Sequence, residues 1–564
     1  MCGIFGYIGS HDAVQIIRDG LSRLEYRGYD SAGIEVAHSI RKCVGPVCNL
    51  DTTGLAGFAG VGHTRWATTG AVTVDNAHPH SDCSGEISVV HNGIIENWRE
   101  VRSCLPDHNF KSDTDSEVIA HLLERCSIPD IPRTLASHLV GSFAVIIHYG
   151  GVLIGIRHES PLVVGHTSHG TILSSDVYPL IGVADKVAYL ENDDAVFAFE
   201  DGFKIYDSHG NPVHRPLCDL PSSQVGALNS DHYMLQEISE QGDTIQRAIS
   251  QSPGTIERIS DMVATAHGIM FVACGSSYHA CLTGAYMFSK IAGKHVNVIV
   301  GSEFEHYRHF LEPGTLVVAV SQSGETADVL NAVRIAKSAN SNVVCITNVV
   351  ESSLYRASDE LLIMNSGPEI CVLSTKTYTS QVVLLALLAA ACVGDTTSIK
   401  RDVQSLCVDV FNMTSQSMRN YVMQLAMILS DVEHLYTIGS GPLYPTAMEA
   451  ALKIKEVSYI HAEAFSAGEL KHGPIALIEP GTPVIAFGSV PNAVDEIKSR
   501  GGYIIGVAAK HNPAFDFWIK VPDSGYFDPI VQIIPMQLLA YDLALIRDCD
   551  PDRPRNLAKC VTVR

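Results

Sequence analysis

The chain runs to 564 residues, room for roughly three to five domains at about 100–200 residues each. Hydrophobic residues make up 46% and charged residues 18%, which leaves ample apolar material for several cores and excludes a disordered or fibrous chain. Lys and Arg number 39 against 61 Asp and Glu, a net charge of −22, and so acidic a surface repels phosphodiester backbones and argues against nucleic acid as a partner. The 15 cysteines include no C-x-x-C pair, so neither a disulfide scaffold nor the usual structural zinc spacing is indicated. The leading MCGIFGYIGS lacks a basic, apolar secretory pattern. The run 382–393 reads as a buried core helix, because it is far short of the roughly 20 residues that span a bilayer. These features predict a soluble chain in a reducing, cytoplasmic compartment.

In chain order, β-rich runs at 4–8, 87–91, 142–148 and 152–156 alternate with Gly/His/Asn-rich turns, and one helix is expected over 115–125 with Thr114 as its cap. Many strands with few helices predict an α+β layered domain. The stretch 216–230, rich in Pro, Ser and small residues, reads as a linker. From residue 231 the texture becomes strand–turn–helix. A strand at 269–273 precedes CGSSY and a helix through 292, a strand at 315–320 precedes SQSGET and a helix through 339, and a third strand covers 343–346. After a helical connector the pattern recurs, with 435–438 before GSG and 484–487 before GSVP. Two tandem α/β units with parallel sheets are expected.

Cys2 follows the initiator, and its small side chain favours removal of Met1. The exposed α-amine, with an ordinary pKa of roughly 7.7–8.0, would then act as base for the thiol on the same residue. Alone, such a cysteine reads as an ordinary small hydrophobe at a start site. Its company changes that. LEYRGYDSAG (24–33), GHTRWATTG (62–70), NAHPH (76–80), HNGIIEN (91–97) and SDTDSEVIAHL (112–122) follow in order. By their resemblance to a glutaminase, these strings would supply what glutamine hydrolysis asks for: a bidentate guanidinium on the α-carboxylate (Arg65), a carboxylate on the α-ammonium (Asp115), and fixed oxyanion donors (the Asn92 side chain and the Gly93 N–H). His78 and His80 could hold a metal, but with no acidic or cysteine partner nearby in sequence they read as structural.

These motifs resemble the glutaminase domain of the N-terminal-nucleophile amidotransferases, with αββα layers expected over residues 2–215. The resemblance also implies that Arg27 lies beside the nucleophile, that Thr68 contacts glutamine, and that Trp66 borders the path by which ammonia leaves. Thr69 stands where the family usually has histidine, which puts a secondary glutamine contact in doubt.

In the second half, the turns at 274–277 and 321–326 set small hydroxyl residues and glycine between a buried strand and a helix start, where backbone N–H groups attract anions. Each turn alone could be a plain helix cap. Two in one α/β unit resemble the sugar isomerase (SIS) fold family, and the resemblance makes Gly275, Ser276, Ser277, Ser321, Gln322, Ser323 and Thr326 candidate phosphosugar ligands. Glu449, Lys453 and Glu456 share one helical face, a pattern that reads either as a surface ion-pair row or as catalytic machinery. Ketose–aldose isomerisation needs a base between C1 and C2 and a ring-opening group, which a carboxylate and the imidazole of His472 can supply, while a lysine can hold the open ketone as an imine.

With GPEICVLSTK (367–376) and the C-terminal run 552–563, the whole chain closely resembles the glutamine–fructose-6-phosphate aminotransferase (glucosamine-6-phosphate synthase) family. The resemblance implies SIS domains at 231–395 and 396–552 and a tail at 553–564 over the sugar site. It makes Glu456 the proton shuttle, His472 the ring opener and Lys453 the imine former, and it sets Glu369, Val372, Ser374, Ala558 and Lys559 around the sugar. It implies conversion of fructose 6-phosphate and glutamine to glucosamine 6-phosphate and glutamate, with ammonia passed internally. A homodimer is implied, with His472 supplied across subunits, and no metal, organic cofactor, nucleic acid or membrane. The alternatives are another amidotransferase on the same glutaminase, and a catalytically silent phosphosugar sensor.

Overall fold

The computed structural model describes residues 2–220 and 230–562. Contacts divide the chain into two compact units, Met1–Val225 with Ala558–Arg564, and Gly226–Leu557. Most of the expected linker, 221–229, lies outside the described residues. Its start does not behave as one: Leu217–Asp219 is a strand, antiparallel to Lys186–Tyr189 at the edge of a sheet.

The first unit is built from an eight-stranded and a seven-stranded antiparallel sheet. Period-two alternation sets the layers. In Gly3–Gly9, Phe5 and Tyr7 pack with Ile17 and Leu21 of the helix Ala13–Leu24, whereas Ile4 and Ile8 join Val90, Ala144 and Ile146 of the other sheet. Val89, Phe143 and Val145 turn the opposite way, onto Val118 and Leu135 of the outer helices. Helix, sheet, sheet and helix therefore stack as αββα. The expected helix at 115–125 is shorter, Glu117–Leu122, and Thr114 does not cap it. The Glu117 carboxylate turns back to accept from Lys111 N (2.8 Å) and Ser112 N (2.7 Å), so residues 111–116 close into a loop before the helix can begin.

The second unit holds two five-stranded parallel sheets of the same connectivity. In the first, Gly268–Ala273 lies between Asn297–Val300 and Thr315–Ser321, followed outward by Asn342–Thr347 and Glu360–Ile363. In the second, His434–Gly439 lies between His461–Ser466 and Pro483–Phe487, then Tyr503–Ala508 and Phe517–Lys520. That shared strand order, 2-1-3-4-5, is the duplication expected from the recurring turns. The two repeats are nevertheless not separate bodies at 395/396. One apolar core joins them through Lys376–Ala391 and Asp528–Ile546, both almost wholly buried. Gly525–Ile546, not 382–393, is the one helix among the described residues long and apolar enough to cross a membrane, and 89% of its most apolar window is buried in this core.

Candidate active sites

Strand register assembles the first site. Gly3 pairs with Thr64 and Ser31 with Arg65, which sets Cys2 against the Arg65–Trp66 backbone. The half-buried Cys2 Sγ lies 3.5 Å from Trp66 O and accepts from Trp66 N at 3.4 Å. Burial pushes the thiol pKa up, and the amino-terminal charge, the Trp66 backbone and Arg65 only partly offset it. A base is therefore needed to make the thiolate. Arg27, buried, donates to Cys2 O (3.3 Å) and pairs with Asp176 (2.7 Å), which also accepts from Tyr26 (2.6 Å). Burial opposes the Arg27 charge, but Asp176 and Tyr26 outweigh it and keep the group cationic. Gly28 allows the close approach, because a Cβ there would fall 2.7 Å from both Arg65 C and Trp66 N.

The other sheet carries Asn92 and Gly93, the expected oxyanion donors. Asn92 pairs with Ala144 and Gly93 with Phe143. Asn92 Nδ2 is buried and has no hydrogen-bond partner among the described residues, a donor left available. Gly93 takes φ +148°, and a Cβ would meet Ser142 O at 1.9 Å. Asp115 Oδ2 accepts from Ile95 N at 2.8 Å. Arg65 is turned onto its own loop, donating to the carbonyls of Thr69 (2.7 Å), Gly70 (2.9 Å) and Ala71 (3.0 Å). Asp30, which the sequence did not single out, fixes the same loop by accepting from Ala67 N at 2.8 Å, just before Thr68. His78 and His80 are buried beside His63 and His91, with the His63 and His78 rings 3.9 Å apart.

In the second unit, the turns at 274–277 and 321–326 follow adjacent strands at their carboxyl ends, where strand order reverses and open α/β sheets bind ligands. The second turn is preformed: Ser321 Oγ and Thr326 Oγ1 lie 2.8 Å apart, Ser321 Oγ accepts from Gly324 N (3.1 Å) and Ser323 Oγ from Glu325 N (3.1 Å). Gln322 O accepts from Asn348 N at 3.0 Å. Gly324 needs its φ of +68°, and a Cβ would lie 2.0 Å from Ser352 Oγ. Gly275 (φ +56°) opens the helix Gly275–Met287, and Ser277 Oγ accepts from Gln381 Nε2 at 3.0 Å.

Glu449, Lys453 and Glu456 on Leu443–Ser458 are no surface row. Lys453 is 1% exposed and Glu449 0%. Lys453 Nζ lies 2.7 Å from Glu456 Oε2, 3.3 Å from Glu449 Oε1 and 3.0 Å from Ser276 Oγ. Burial works against its charge, yet the two carboxylates outweigh burial and raise its pKa. Glu449 also accepts from Ser276 Oγ (2.8 Å) and meets His279 Nδ1 (2.7 Å). His279 was missed in the sequence, although its place three residues after Ser276 put both on one helical face. Glu369 is a brace: it accepts from Thr375 N (3.0 Å), Thr377 N (3.1 Å) and Thr377 Oγ1 (2.8 Å), and Ser374 Oγ lies 2.7 Å from that same hydroxyl. Val372 N donates to Asp552 O at 3.3 Å. His472 is exposed on the turn Glu469–His472 and makes no hydrogen bond or ion pair with the Lys453 row among the described residues. Ala558 and Lys559 group with the first unit by contacts.

Comparison with known proteins accords with this division. A glutamine amidotransferase domain model matches residues 63–181 and a SIS domain model matches 262–391 and 428–547. The glutamine–fructose-6-phosphate aminotransferase (isomerizing) of Thermococcus kodakarensis is 40% identical over 602 residues, with 100% of both chains covered, and that of Clostridium acetobutylicum is 37% identical over 609 with the same coverage. The chain belongs to the glutamine–fructose-6-phosphate aminotransferase family. The solved C-terminal domain of the Francisella tularensis glucosamine-fructose-6-phosphate aminotransferase is 34% identical and matches 59% of this chain and 100% of its own, with a TM-score of 0.53. Within this family the first unit is the glutamine amidotransferase part, and the two parallel sheets are SIS domains.

Proposed function

We propose that the chain converts fructose 6-phosphate and glutamine into glucosamine 6-phosphate and glutamate. The observation that carries this reading is the buried Glu449–Lys453–Glu456 row beside the Ser276 turn, in the same chain as Cys2 set against Trp66. With Met1 removed, the Cys2 amine takes the thiol proton and the thiolate attacks the glutamine amide carbon. The oxyanion that forms is met by Asn92 Nδ2 and Gly93 N–H, while Arg65 and Asp115 grip the α-carboxylate and α-ammonium. Collapse expels ammonia and leaves a thioester, which water cleaves to glutamate.

At the sugar turns, the hydroxyls of Ser277, Ser321, Ser323 and Thr326 hold the phosphate. Lys453 rests as an ammonium and must lose a proton before it can attack the ketone at C2. Glu456, 2.7 Å away, is placed to accept it. Ammonia replaces the lysine at C2, and Glu456 then moves a proton from C1 to C2, which leaves the aldose. Internal passage of ammonia keeps it unprotonated and nucleophilic. His472 stands exposed and apart from the row, and this supports a homodimer in which a second copy completes the site. The cytoplasmic setting suits a chain whose nucleophile is a free thiol.

A hexosamine assay on two variants tests the reading. Cys2→Ala should lose glutamine-dependent synthesis while keeping ammonia-dependent synthesis, and Glu456→Gln should keep glutamine hydrolysis while losing synthesis by about 10²–10⁴-fold. Normal glutamine-dependent synthesis in either variant would refute it.

A further inference from the structure

Away from the nucleophile, four side chains of the glutaminase unit converge with no role in the chemistry above. Cys83, His108, His121 and Glu124 each offer one donor atom, and all four atoms lie within 4.8 Å of one another. Cys83 Sγ is 3.8 Å from His108 Nδ1 and 3.5 Å from His121 Nδ1, and the two ring nitrogens are 3.3 Å apart. Glu124 Oε2 lies 2.5 Å from His108 Nδ1. Two imidazole nitrogens, a sulfur and a carboxylate oxygen thus face one point. Without a metal, the His108 N–H and the Cys83 S–H can each serve one neighbour, whereas a cation would engage a lone pair of all four at once.

We propose that this cluster is a tetrahedral divalent-metal site of the zinc class. A zinc bound at about 2.3 Å to sulfur and about 2.0–2.1 Å to nitrogen or oxygen requires sulfur–nitrogen separations of roughly 3.5 Å and separations of roughly 3.3 Å among nitrogens and oxygen. The three distances among Cys83, His108 and His121 agree within a few tenths of an ångström, whereas Glu124 Oε2, 2.5 Å from His108 Nδ1, must swing away from that ring to become the fourth ligand. The mixed S, N, N, O donor set suits zinc and disfavours magnesium or calcium, which take oxygen ligands. Supporting contacts are already present. Asn109 N points at Cys83 Sγ (3.5 Å), and His121 Nε2 faces Glu117 Oε1 (3.6 Å), the carboxylate that orients a metal-bound imidazole. Phe110 packs on the His121 ring with centroids 4.3 Å apart, and Cys83 is exposed, which leaves an entry path. Binding replaces the Cys83 S–H bond by a sulfur–metal bond, and the proton leaves to solvent. The ion would staple the turn at 83, the loop at 108 and the end of the helix Glu117–Leu122, whose Glu117 closes the loop that carries Asp115.

The test is metal content, which is independent of the reaction. Full-length protein grown with zinc and purified without chelators should hold one zinc per chain by mass spectrometry of the elements. Cys83→Ser, His108→Ala and Glu124→Gln should each lower that content, most steeply for Cys83→Ser. Cobalt added to the metal-free protein should give tetrahedral bands and a sulfur-to-metal charge-transfer band that Cys83→Ser abolishes. Circular dichroism checks that each variant is folded, and the near-isosteric Cys83→Ser decides the matter if His108→Ala is not. A metal-free wild type in excess zinc, or zinc content unchanged in folded Cys83→Ser, would overturn the proposal.

Discussion

Glu449 shows how one carboxylate can govern a site without meeting substrate. It accepts from Ser276 and His279 and lies 3.3 Å from Lys453, all within a buried pocket. Burial would raise its pKa, but Lys453 and His279 pull it below its ordinary value, so it remains ionised. It therefore holds Lys453 as an ammonium and positions the Ser276 turn. Glu449→Gln should remove one of the two carboxylates that raise the Lys453 pKa, so the alkaline rise in synthase rate should shift to lower pH. Maximal synthesis should nevertheless fall, because Ser276 and His279 lose the carboxylate that positions them, while glutamine hydrolysis is unchanged. A synthase pH profile identical to wild type would show that Glu449 does not act through Lys453. The sequence placed Glu449 on the correct face of its helix. It could not show that this face is buried, since i, i+4 and i, i+7 spacing is the same on a surface row.

At the level of elements, the alternation of apolar residues in Gly3–Gly9, Ser88–Ile95 and Gly141–Tyr149 was enough to read a layered sheet domain, because each strand writes both its faces into neighbouring residues. Helix ends were less legible. The short helix Glu117–Leu122 begins late because Glu117 is committed to Lys111 N and Ser112 N, a contact that propensity does not encode. The first unit also buries histidines in a way that pH will test. His63, His78, His80 and His91 are held below the ordinary imidazole pKa, first by burial and then, for His63, His78 and His80, by neighbouring positive charge. Each takes up its proton in the unfolded chain near pH 6.5 but only at lower pH when folded. Stability is thus complete above roughly pH 6.5 and declines as the pH falls, by up to about 1.4 kcal/mol per pH unit for each histidine. Calorimetry of the full chain from pH 7.5 to 5.5 should show the glutaminase transition moving to lower temperature. A transition that stays put would mean the four rings are protonated in the folded state.

For the molecule as a whole, the proposed function requires nitrogen freed at Cys2 to reach the sugar chemistry. With amide-¹⁵N glutamine, fructose 6-phosphate and excess unlabelled ammonium, the glucosamine 6-phosphate formed should carry the label at early times. Product with the isotope ratio of the bulk ammonium would refute internal passage. The sequence alone determined the order of the parts and the duplicated α/β pattern, because motifs and periodicity are carried by residues close along the chain. Tertiary structure decided that the repeats share one core, that residues 217–219 form a strand, and that Ala558 and Lys559 belong with the first unit. It also decided which polar groups meet. Ser276 and Lys453 are 177 positions apart, and Cys83 and His121 are 38. No local pattern records such a meeting, because it follows from how buried sheets and helices pack and not from any segment's own preference.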